Sequence, residues 1–258
     1  RRVPIIDVPA ENGHDLLTTI DINIQDFADR TLRSKMKEEG VNGEIGVVVV
    51  MEVKTGDVKA IVNLTRGADG EYYEMKNNAV SDLWEPGSTF KTASIMIALE
   101  DGKIDVNKVV DCAPGIVKMY GRNMKDHNWH KGGYKELKVE DILGQSSNIG
   151  VSKIIDEAYS GNPSAYVDGL HRIGVGIPLN LPFVGKGEPY VPHPRNKERF
   201  WSKPDLPWMS IGYVTMLPPI STLTFYNAIA NGGKMVRPRF VKAELKDGMV
   251  LREFPTEV

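Results

Sequence analysis

One cysteine, Cys112, is all the thiol chemistry this 258-residue chain carries, so no disulfide can form within it. Its apolar runs, Val47–Met51 among the longest, fall far short of the ~18–20 residues that cross a bilayer. No block of like charge stands out. Lys and Arg number 32 against 34 Asp and Glu, a net charge of −2, which argues against a nucleic-acid surface. There is no internal repeat and no low-complexity tract, and no stretch of the given sequence reads as a secretory leader. What remains is ordinary globular composition, 41% hydrophobic and 26% charged, enough for one large domain or two lobes around a shared core. The chain opens on Arg1 rather than methionine and closes in mid-phrase at Val258. We expect a piece of a longer protein whose anchor or targeting segment lies outside it.

Periodicity places the main elements. Residues 14–40 start strand-like and turn helical after Thr19 or Asp21, with Ile24, Phe27, Ala28, Leu32 and Met36 at helical spacing and Gly40 as a stop. Residues 44–53 are β-branched and read as a buried strand, with 57–64 as its hairpin partner across a Lys54-Thr55-Gly56-Asp57 turn. A helix over 88–103 is apolar most of the way round and is therefore expected inside the protein. Residues 104–135 read as loop-rich. Two short helices flank Gly144–Gly150, a proline-rich surface excursion fills 178–208, and a helix over 220–233 ends in two glycines. The alternation around Asp247-Gly248 predicts a hairpin over 240–254.

Two short motifs carry the chemistry. Ser88 and Lys91, in "EPGSTFK", share one helix face at a spacing of three. A serine at a helix start meets the positive end of the dipole, which favours a developing alkoxide, and a neutral lysine beside it can take the proton. Half-neutralising that lysine near pH 7 requires about 4–5 kcal/mol of unfavourable surroundings, and burial in an apolar helix supplies part of it. Serine is equally a common helix cap, so this pair alone decides nothing. Ser146 and Asn148, in "GQSSNIG", lie about 58 residues further on, between two helical pieces. Alternate residues of a tight loop can aim a hydroxyl and an amide the same way.

With both motifs in this order, the chain resembles the transpeptidase domain of penicillin-binding proteins, which combine S-x-x-K, S-x-N-type and K-T-G motifs. The resemblance covers nearly all of the sequence and is closest to the monofunctional class B enzymes of division or elongation type. "LLTTIDINIQDFADRTL", "VVVVMEVKTGDVKAIVN", "WEPGSTFKTASIMIALEDGKI", "GQSSNIGVSKI" and "MSIGYVTMLPPISTLTFYNAIANGGKMVRPRFV" all carry it. It implies an α/β (α+β) fold of the penicillin-binding-protein/β-lactamase-like kind, an antiparallel sheet flanked by helices plus a helical lobe. Within that fold, 1–87 would form the N-terminal segment with the first hairpin, 88–235 the nucleophile helix and helical lobe, and 236–258 the C-terminal hairpin.

The same resemblance implies a D,D-transpeptidase that cross-links peptidoglycan through a serine ester. Ser88 would be the nucleophile and Lys91 its base. Ser146 would pass the proton to the leaving amine, and Asn148 would position Lys91 and the substrate amide. The Ser88 N–H would form half of an oxyanion hole, and Trp84 and Glu85 would line the cleft mouth. It implies peptidoglycan stem peptides and β-lactam antibiotics as ligands, divisome or elongation-complex proteins as partners, no nucleic acid, and no cofactor. Its location would be the extracytoplasmic, periplasmic face of the bacterial inner membrane, reached by an N-terminal transmembrane helix outside this chain. No metal is expected, since Cys112, His127 and His130 match no standard zinc spacing.

One departure stands out. The chain's Lys54-Thr55-Gly56 precedes the nucleophile and reads as a hairpin turn, and Met235 follows Lys234 where Thr-Gly would be needed. We therefore expect the third motif beyond Val258, a sheet left incomplete at the Val47–Val50 strand, and a chain that acylates slowly by itself. The alternatives are a β-lactamase or β-lactam sensor domain, and a non-catalytic scaffold of a cell-division complex. Trp201 and Trp208 fit a surface latch or a partner contact, and Lys153 a solvated position.

Overall fold

The computed structural model describes residues 10–38, 40–197 and 200–258. The first nine residues of the N-terminal segment, Glu39 and two positions of the proline-rich stretch fall outside them.

The chain builds mixed helix and antiparallel strand, as expected. β1 (Asp15–Thr18) leads into α1 (Ile22–Met36), which starts at Asp21 because that carboxylate accepts the backbone N–H groups of Asn23 and Ile24. β2 (Ile45–Met51) and β3 (Val58–Arg66) follow as the predicted hairpin, and β4 (Tyr72–Tyr73) extends β3. α1 lies on the inner face of this sheet and packs Ala28, Leu32 and Met36 against Ala60, Val62 and Leu64. The N-terminal part of its apolar stripe does not join that core. Ile24 is 36% and Phe27 67% exposed, because the sheet covers only one side of the helix.

β9 (Val241–Lys246) and β10 (Met249–Glu253) form the C-terminal hairpin. Its turn has positive φ at both Asp247 and Gly248, the geometry that such a turn demands. β9 also pairs with β1, so the two ends of the chain share one sheet of order β1-β9-β10. The two sheets meet at Thr19, whose hydroxyl donates to the carbonyls of Val58 and Arg239.

The helical lobe surrounds α3 (Lys91–Glu100), with α2 (Asn78–Ser81) before it. α4 (Val139–Gly144), α5 (Asn148–Tyr159), α6 (Pro163–Arg172), α7 (Asp205–Met209) and α8 (Pro219–Ala230) complete it. The "loop-rich" stretch contains short ladders: β5 (Val109–Asp111) pairs with β8 (Glu136–Lys138), and β6 (Ile116–Met119) with β7 (Arg122–Lys125). Ile97, Ile149, Ile154, Ile155, Tyr166 and Leu170 are all but solvent-free at the lobe's centre. Trp201 and Trp208 pack partly buried against this same core. Lys153 is not simply solvated: its ammonium donates to the Asp111 carbonyl at 2.6 Å and ties α5 to β5.

Among the described residues, β2 pairs only with β3, and most of its residues are half-buried. Its other edge is unpaired, as the sequence leads one to expect. Lys54-Thr55-Gly56 is the β2–β3 turn. The Thr55 hydroxyl donates to Glu52, and Gly56 holds φ +74 against the Arg237 backbone.

Candidate active site

The path into Ser88 is fixed from two sides. Residues 84–87 run antiparallel to 212–217: Trp84 and Leu217 exchange backbone hydrogen bonds, and the Gly87 N–H donates to the Gly212 carbonyl at 3.0 Å. The Val214 N–H donates to the Glu85 carboxylate at 2.9 Å. A tight 3-10 turn over Gly87–Phe90 then carries Ser88 into α3. Phe90, 3% exposed, anchors the turn from below, and the Tyr226 hydroxyl of α8 donates to the Thr89 carbonyl. Ser88 itself is exposed, and its hydroxyl has no hydrogen-bond partner among the described residues.

Lys91 opens α3 and is only 2% exposed. Its ammonium donates to the Ser146 carbonyl at 2.6 Å and to the Ser146 hydroxyl at 2.9 Å. Burial pushes its pKa from 10.5 down to about 8, against the pull of the nearby Asp126 charge. An appreciable neutral fraction therefore exists near neutral pH, the condition a lysine base must meet.

Ser146 lies in the turn between α4 and α5 with φ +53, an uncommon conformation for a residue with a side chain. Three neighbours hold the turn. The Ser147 hydroxyl caps α5 by accepting the Gly150 N–H, and it donates to both oxygens of Asp126 at 2.9 and 3.1 Å. The Ile149 N–H donates to Asp126 at 3.0 Å, and the Asn148 amide donates to the Lys125 carbonyl at 2.8 Å.

The structure thus brings Lys91 and Ser146 into direct contact and sets Asn148 two residues on, bonded to β7 rather than to Lys91. Trp84 is 45% exposed beside the turn, while one oxygen of Glu85 is taken up by the 212–217 segment. Cys112 is buried and accepts from Ser147, and His127 stands edge-on to Tyr134. Asp126, Ser147 and Gly212 escaped the sequence reading. Each acts through a contact formed by folding, and "KDHNWH" holds no motif that would single out Asp126.

The comparisons with known proteins agree with this geometry. Residues 46–257 match the family described as the penicillin binding protein transpeptidase domain. The peptidoglycan D,D-transpeptidase FtsI of Escherichia coli K12 is 32% identical over 234 residues, covering 89% of this chain and 37% of the relative. The probable peptidoglycan D,D-transpeptidase PbpC of Pseudomonas aeruginosa is 31% identical, covering 87% of this chain and 38% of the relative. This chain therefore spans well under half the length of these curated relatives. Among solved structures, penicillin binding protein 3 of Mycobacterium tuberculosis in complex with aztreonam superposes with a TM-score of 0.80 at 25% identity, over 98% of this chain and 55% of that one. The transpeptidase domain of Burkholderia pseudomallei penicillin-binding protein 3 superposes with a TM-score of 0.72 at 25% identity, over 92% of this chain and 63% of that one. A serine on a clamped turn, a buried lysine and a Ser-x-Asn turn thus sit in a fold with a known kinship: the chain belongs to the penicillin-binding-protein transpeptidase domain family.

Proposed function

We propose that the parent protein is a peptidoglycan D,D-transpeptidase of class B type, acylated at Ser88. The observation that carries this reading is the buried Lys91 ammonium at the foot of the Ser88 turn, bonded to Ser146. Neutral Lys91 takes the Ser88 proton as Oγ attacks the penultimate D-Ala carbonyl carbon of a stem peptide. The tetrahedral oxyanion is held in part by the Ser88 N–H. The proton then passes through the Ser146 hydroxyl to the leaving nitrogen, the C–N bond breaks and D-Ala departs. An acceptor amine attacks the ester, and Ser88 recovers its proton. Asn148 aligns the substrate amide, and Trp84 and Glu85 form the rim of the cleft.

The substrate is peptidoglycan, and β-lactams acylate the same serine as stem-peptide mimics. That substrate places the domain on the extracytoplasmic side of the inner membrane, alongside division or elongation proteins. Among the described residues no helix is long and apolar enough to cross a membrane.

Incubation of the full-length protein with fluorescent penicillin, followed by peptide mass spectrometry, tests the reading. We expect a long-lived, stoichiometric adduct on Ser88 that is absent from Ser88→Ala, and slower labelling of the 258-residue span by itself. Label elsewhere, or no label, overturns the assignment. Rapid turnover of the adduct marks a β-lactamase instead.

A further inference from the structure

The buried carboxylate of Asp126 takes part in none of the steps above. It follows β7 and is 1% exposed. Its hydrogen bonds come from the first turn of α5: the Ser147 hydroxyl at 2.9 and 3.1 Å and the Ile149 N–H at 3.0 Å. No lysine or arginine among the described residues comes within ion-pairing distance of it. A buried carboxylate without a paired cation is costly, and packing gives no reason to keep one.

Its surroundings are known on each side. The Cys112 thiol faces it from the segment after β5, Tyr134 from the loop before β8, and Ser147 from α5. Lys153, on α5, acts on Cys112. Of the charged groups, Asp126 is the one that acts on Lys91, and it favours the protonated form. Asp126 therefore grips Ser147 and Ile149, which bracket Asn148 and follow the Ser146 that Lys91 touches.

We infer that Asp126 is a positioning residue for acyl transfer: its hydrogen bonds to Ser147 and Ile149 order the Ser146–Asn148 turn against Lys91. Two effects follow with opposite consequences for the rate. The tether raises it by keeping Ser146 on Lys91. The charge lowers it near neutral pH by keeping more of Lys91 protonated. This inference rests on the acyl-transfer reading.

The two effects separate in a pair of variants of the full-length protein, assayed for acylation by a chromogenic penicillin from about pH 6 to about pH 10. Asp126→Asn removes the charge and weakens the tether, since the amide keeps one accepting oxygen where the carboxylate offers two. We expect its plateau rate to fall about tenfold or more, with the acid limb of the profile moved to lower pH. Ser147→Ala loosens the tether and keeps the charge, so its plateau falls with the acid limb unmoved. Asp126→Asn with the wild-type rate and limb overturns the inference, as does an equal limb shift in both variants. If Asp126→Asn fails to fold, Ser147→Ala decides the positioning role, and a wild-type rate in that variant overturns it. Failure of the wild-type protein to label on Ser88 would instead sink the acyl-transfer reading itself.

Discussion

The helical lobe and the β2–β3–β4 sheet are held in different ways. In the lobe, α3 is enclosed by α4, α5 and α6, and the residues around Ser88 are tied to distant parts of the chain: Lys91 to Ser146, Ser147 to Asp126, Gly87 to Gly212. In the sheet, β3 is buried at Val58, Ala60, Val62 and Leu64, but β2 has a single partner strand among the described residues and most of its residues are half-covered. The difference teaches that Ser88 and Lys91 need only the lobe to be placed. The sheet side keeps one edge of β2 unpaired among the described residues.

Gly212 should show the largest effect. It holds φ +86, and an added Cβ would collide with the Gly87 carbonyl directly before Ser88. Backbone cannot yield as a flexible side chain can. Gly212→Ala is expected to cost more than about 3 kcal/mol. Thermal denaturation measures it, and a loss under 1 kcal/mol would show that the turn is not rigidly clamped. A matched pair then probes the contrast directly. Ile154→Ala, at 1% exposure in the lobe, should cost about 3 kcal/mol, while Val48→Ala on half-covered β2 should cost about 1 kcal/mol. Equal losses in urea melts would erase the distinction between the two regions.

The same contrast explains what could be read in advance. Short-range signals announced the lobe: an apolar helix after Pro86-Gly87, a break at Ser146–Asn148, a double-glycine stop after α8. The hairpins at 44–64 and 240–254 were equally local. Contacts across long sequence separations were not legible. The pairing of β1 with β9, the grip of Asp126 on Ser147 and the approach of Gly212 to Gly87 leave no periodic trace. The α1 spacing gives the helix but not its burial: Ile24 and Phe27 are exposed, because helical spacing sets the width of an apolar face and not the width of what covers it.

Lys91 sharpens the contrast from the side of function. Folding lowers its pKa from 10.5 to about 8, so between those values the unfolded chain holds the extra proton and stability rises with pH. Below about pH 8 both states are protonated and the full cost of burying the charge is present. Lys91→Met is expected, on the proposed mechanism, to abolish acylation and yet to raise stability at neutral pH. The gain is about 1 kcal/mol once two lost hydrogen bonds are allowed for. It should also erase the rise in stability towards alkaline pH. Denaturant midpoints at neutral and alkaline pH check both points, and a destabilised variant would mean that the lysine supports the fold it serves.

Val214 carries the smallest expected effect. A β-branched residue at φ +69 is a genuine outlier, and it stands in the segment that clamps the Ser88 turn. Left-handed backbone costs a non-glycine residue about 1–2 kcal/mol, which Val214→Gly would relieve. Against that stand about 0.5–1 kcal/mol of added chain entropy in the unfolded state and the loss of a side chain packed partly against the lobe core. The terms nearly cancel, so Val214→Gly should lie within about 0.5 kcal/mol of the wild type. The Glu85 carboxylate holds the Val214 N–H in either case, so the clamp survives the change. A gain above about 2 kcal/mol in thermal denaturation would instead reveal strain stored beside Ser88. The lobe would then be the tense part of the molecule, and the contrast with the open-edged sheet would have to be redrawn.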